Sequence, residues 1–104
     1  MADPERKTGG EVKEKTRPKT KRPPVFKVIL HNDDYTTMEF VVQVLEAVFQ
    51  KSPAEAFRVM MQVHVEGKGL CGHYPWEIAE TKVSTVHELA QSQGFPLRAS
   101  IEEE

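Results

Sequence analysis

His64 and the run His31-Asn32-Asp33-Asp34 carry the residue types from which chemistry could be built. A carboxylate, an amide oxygen and a neutral imidazole nitrogen are all hydrogen-bond acceptors. Facing one small hollow, Asn32, Asp33 and His64 would suit a primary ammonium, whose three donors need three partners once water is removed. Met38, Val41 and Met60 are the apolar side chains that would receive whatever the ammonium carries, and methionine adapts to guests of different shape. His64 follows Met60 by four places, on the same helical face. A plainer reading stands beside this one: an imidazole half-buried beside the core and bonded to a backbone carbonyl.

Two other chemistries have less to work with. His31, Asp33, His64, Cys71 and His73 are metal-ligand types, but no CxxC, HExxH or clustered histidine spacing ties them together, and no metal or cofactor is expected. Asp33 could orient His64 as a base, yet no nucleophile is marked out. Ser52 is used as a helix cap, Cys71 lacks a visible activating partner, and Gly-x-Ser-x-Gly is absent. The adjacent carboxylates Asp33 and Asp34 diverge in regular backbone and would not flank a bond. Catalysis is not expected.

The elements that must position these groups follow from periodicity. Val25 to Leu30 reads as an apolar strand, and Asn32-Asp33-Asp34 as a turn whose short side chains bond nearby backbone. Thr36-Thr37-Met38-Glu39 fits a capping box with Thr36 as N-cap. The helix from Met38 to about Gln50 then stripes Val41, Val44, Leu45 and Val48. Ser52, Pro53 and Glu55 predict a second capped helix running to about Val65. That helix is apolar around most of its girth, so it is either central to the core or has a second, accessible apolar face. Gly67 and Gly69 bracket a turn into a short strand, Leu70 to Tyr74. A third helix spans Trp76 to Gln93, stopped by Gly94 and Pro96. Leu97, Ala99 and Ile101 alternate with polar residues as an edge strand. The sum is an α+β fold of order β-α-α-β-α-β, a small three-stranded antiparallel sheet covered by three helices.

With 104 residues and a formal charge of −2, the chain reads as a single small domain from 25 to 104 behind a disordered basic extension, 1–24. The slightly negative balance argues against nucleic acid as the main partner. One cysteine leaves no disulfide framework and suits a reducing cytoplasm, and no apolar run approaches membrane-spanning length. The arm, with Lys13, Lys15, Arg17, Lys19, Lys21 and Arg22, reads as a solubilising tail or as a tether to a large partner, with nucleic-acid contact a third option. Trp76 to Lys82 reads either as a solvated charged face under an apolar lid or as a docking patch.

Asn32-Asp33-Asp34-Tyr35-Thr36 followed by Met38-Glu39-Phe40-Val41 resembles the signature of the ClpS adaptors. The resemblance continues through Glu55-Ala56, Met60, Val63-His64, Gly67-Lys68, Cys71-Gly72, Glu80-Thr81-Lys82-Val83 and Pro96-Leu97. It implies an adaptor of the N-end rule that binds proteins beginning with Leu, Phe, Tyr or Trp. It would hand them to a ClpA/ClpC-type AAA+ unfoldase and its ClpP peptidase. By this resemblance Asn32, Asp33 and His64 would hold the substrate's α-amino group. Thr36, Met38, Val41, Met60, Val63 and Leu97 would line the side-chain pocket. His64, Val65, Glu66, Glu77 and Lys82 would dock on the unfoldase N-domain, with the adaptor a monomer. Thr37 departs from a proline common in the family, Pro75-Trp76 from a threonine and a small or polar residue, and His73 from an apolar one. The runner-up is a regulatory module that binds the unfoldase without reading N-termini.

Overall fold

The computed structural model describes residues 23–104, so apart from Pro23 and Pro24 the basic extension lies outside the described residues. The elements run β1 (Phe26–His31), α1 (Met38–Ala47), α2 (Pro53–Glu66), β2 (Lys68–Tyr74), α3 (Trp76–Gln93) and β3 (Arg98–Glu103). The three strands form one antiparallel sheet in the order β2-β1-β3, flanked by three helices, which is the expected architecture.

With a neighbour on each side, β1 is the central strand, and its apolar run Val28-Ile29-Leu30 is accordingly buried. Val28 and Leu30, on one face of the pleat, join the core that α1, α2 and α3 complete with residues such as Val44, Leu45, Val59 and Val86. Cys71 also belongs to this core, and burial pushes its thiol pKa up to about 12. The pairing register shifts between Val28 and Ile29, which makes Cys71 an extra residue in β2, a bulge opposite the middle of β1.

Caps fix where the helices begin, and here the structure corrects the sequence reading. Thr37, not Thr36, is the N-cap of α1: its hydroxyl accepts from the Phe40 amide at 3.1 Å. Thr36 is withdrawn because its hydroxyl donates to Asp33 instead. The third helical residue is then Phe40, so Glu39 is not placed to close a capping box. Ser52 does cap α2, accepting from the Glu55 amide at 3.2 Å, while the Glu55 carboxylate turns to Arg58. α1 ends at Ala47, short of Gln50, and β2 begins two residues before Leu70.

Two glycines hold α2 against the sheet. Gly67 ends α2 in the left-handed conformation (φ 92°), its N–H bonded to the Val63 carbonyl and its own carbonyl taking the Asn32 N–H, each at 2.9 Å. A Cβ on Gly69 would stand 2.7 Å from Val63 Cγ2 and 3.2 Å from the Val59 carbonyl, so β2 approaches α2 there as only glycine permits.

Candidate functional site

The bond between Asn32 and Gly67 brings the end of β1 beside the last turn of α2, although 35 positions separate the two residues. At that junction a hollow of about 240 Å³ opens. Its floor is apolar and buried: Val41 from α1, and Met60 and Val63 from α2. Its rim is polar, made of Asn32, Asp33, Asp34, Thr36 and His64, with Met38 standing half-exposed at the mouth. Val41 lies three residues after Met38, and Val63 and His64 lie three and four after Met60, so each helix offers one stripe to the hollow. An apolar cavity of about 150 Å³ accepts a benzene ring, so this one has room for a single large side chain and its adjoining amine.

Asp33 organises the turn that carries the rim. One carboxylate oxygen accepts from the backbone N–H of Tyr35 at 2.8 Å and of Thr36 at 2.7 Å, and the other accepts the Thr36 hydroxyl at 2.7 Å. Partial burial pushes the Asp33 pKa up, but the hydrogen bonds from Thr36 and Tyr35 together outweigh it and hold the carboxyl below its ordinary value. Of roughly four acceptor directions on a carboxylate, three are therefore taken by the turn itself. Asp33 offers a guest its charge and about one remaining direction. The Asn32 side chain and the His64 imidazole are differently placed: both are exposed on the rim and, among the described residues, neither forms a hydrogen bond with another side chain or the backbone. That removes the reading of His64 as a half-buried, carbonyl-bonded imidazole.

The remaining sequence-predicted residues are placed less uniformly. Leu97 is buried in the core, just before β3, and is not among the residues lining the hollow. Val65 and Glu66 are exposed at the end of α2, and Glu77 is exposed in the first turn of α3. The whole of β2, roughly 20 Å long at the usual rise per residue, lies between these two groups in the chain. Lys82 is turned to the fold: its ammonium donates to the Val48 carbonyl at 2.7 Å and lies over the Phe49 and Tyr74 rings, 5.8 and 5.2 Å from their centroids. The ammonium expected to dock on the unfoldase thus also makes contacts within the fold. Trp76 is half-exposed with its ring edge-on to Phe26 at 5.3 Å, and His73 lies 3.6 Å from the Glu104 carboxylate. Asp34 lines the rim beside Asp33, although the sequence reading gave it no separate role.

A family model described as ATP-dependent Clp protease adaptor protein ClpS matches residues 21–100. The chain belongs to the ClpS family. Similar curated proteins include the ATP-dependent Clp protease adapter protein ClpS of Desulfatibacillum aliphaticivorans, 57% identical over 102 residues and covering 98% of this chain and 97% of that one. That of Wolinella succinogenes is 60% identical over 78 residues, covering 75% of this chain and 76% of its own. Among solved structures, Agrobacterium tumefaciens ClpS2 bound to L-phenylalaninamide superposes with a TM-score of 0.77 at 44% identity, covering 80% of this chain and all of that one. A ClpS-family protein is an adaptor to a protease and not itself a catalyst. The threonine at 37 gives this ClpS chain a side-chain cap for α1 where proline would offer none.

Proposed function

We propose that this chain captures proteins by a free α-amino group and a bulky hydrophobic first residue, Leu, Phe, Tyr or Trp, and delivers them to a ClpA/ClpC-type AAA+ unfoldase with ClpP in the cytoplasm. The observation that carries this reading is the hollow itself: acceptors on the rim, buried Val41, Met60 and Val63 beneath, and a volume suited to one side chain. The ammonium would bond the Asn32 and His64 side chains and feel the Asp33 charge, directly or through water. The side chain would pass Met38 and displace water from the floor. A β-branched first residue would collide at the mouth, and a small one would leave the floor unfilled. His64, Val65 and Glu66 on one side and Glu77 and Lys82 on the other would meet the unfoldase N-domain, with Lys82 acting chiefly by holding α1 and α3 in register. No bond is made or broken by the adaptor.

The test is a fluorescence-anisotropy titration of peptides that differ only in their first residue. Phe and Leu are expected to bind at least about tenfold tighter than Ile or Gly, equivalent to about 1.4 kcal/mol. His64→Ala is expected to weaken the Phe peptide with no loss of thermal stability, since the His64 side chain forms no hydrogen bond among the described residues. Equal binding of all four peptides would overturn the reading.

A further inference from the structure

Beside the hollow, on the outer side of the α1–α2 pair, runs an open groove of about 410 Å³ lined by Met38, Glu39, Val42, Gln43, Phe57 and Met60. Met38 and Met60 line both depressions, so the groove continues the hollow across a wall one side chain thick. Phe57 is 57% exposed and Met38 43%, a large apolar surface that the core does not use. The α2 helix, apolar around most of its girth, thus has its second face here. From this continuity we infer that the groove is a second specificity subsite, which receives the apolar side chain of the substrate's third residue. The inference rests on the proposed capture of a protein N-terminus in the hollow.

The geometry supplies the register. Asn32 and His64 line the hollow but not the groove, whereas Met38 and Met60 line both, so a chain whose amine is held by the first two reaches the groove by way of the methionines. In an extended chain, side chains of residues 1 and 3 point the same way, about 7 Å apart. That spacing carries the third side chain over the Met38 wall and onto Val42 and Phe57. The second side chain points to solvent and is left unread. The groove is open, so only part of a leucine side chain leaves water there, and the gain expected is about fivefold in affinity. Methionine on both sides of the wall lets the two guests adjust to each other.

The experiment compares the full chain with Phe57→Ser, a surface change that leaves the core untouched, on three ligands. These are phenylalaninamide and two peptides beginning Phe-Ser-Leu and Phe-Ser-Ser. The expected result is about fivefold tighter binding of the Leu peptide by the unmodified chain. That preference is lost in Phe57→Ser, with phenylalaninamide bound equally by both. A Leu preference that survives in Phe57→Ser, or no preference in the unmodified chain, overturns the subsite. So does a concentration-dependent dimer that Phe57→Ser abolishes without altering the preference, since the groove would then belong to a second copy. Failure of phenylalaninamide and both peptides to bind the unmodified chain would instead remove the parent reading, and the subsite with it.

Discussion

At Asp33 two effects oppose each other: burial disfavours the charged carboxyl, and the hydrogen bonds from Thr36 and Tyr35 favour it more strongly in sum. A carboxyl whose folded pKa lies below its unfolded one contributes stability that is fully present above the unfolded value, about 3.9, and lost as pH falls through the lower folded value. Asp33→Ala, which removes all three bonds, is therefore expected to cost about 1–3 kcal/mol near pH 7, besides weakening peptide binding. The difference should shrink as pH falls past the unfolded value and through the lower folded one, where the native carboxyl also protonates. Thermal midpoints of the two proteins across that range are the check; a gap that stays constant with pH would contradict the role assigned to the carboxylate. Asp33 thus spends most of its acceptor capacity on the turn it was expected to form. The sequence marks Asp33 as a turn former, but which of its neighbours claims the oxygens depends on the turn's three-dimensional path.

The elements themselves were largely legible because their signals are local. Ser52-Pro53 starts α2, Gly94 ends α3, and the alternation of Leu97, Ala99 and Ile101 marks the chain's last strand. The choice between Thr36 and Thr37 as cap was not, since adjacent threonines are equivalent until Asp33 binds one of them. Lys82 was not legible either, because its partner Val48 lies 34 positions away. The Lys82 ammonium ends α1 by bonding a terminal carbonyl and adds cation–π contact with two rings, so it joins α1, β2 and α3. Lys82→Met keeps the apolar stem and removes the charge. It is expected to lower stability by about 1–2 kcal/mol and to leave peptide affinity within about twofold, since ordinary effects of remote sites are small. An unchanged thermal midpoint would show that the ammonium belongs to solvent.

Over the whole molecule, the proposed function depends on bringing the end of the central strand and two helix ends around one small space. The Asn32–Gly67 bond and the tight Gly69–Val63 approach perform that closure, and both are long-range features that periodicity does not report. Residue chemistry indicated an ammonium site, and the resemblance to ClpS indicated its user. The concave shape, the exclusion of Leu97 from its wall, and the adjoining groove had to be seen. The central claim is recognition of a free, protonated chain start above an apolar floor. Its most direct measurement is the affinity, by fluorescence anisotropy, of one Phe-initiated peptide with its α-amino group free and then acetylated. The acetylated peptide keeps the side chain but loses the charge and two of three donors, so binding at least about tenfold weaker is expected. Equal affinities would contradict the claim.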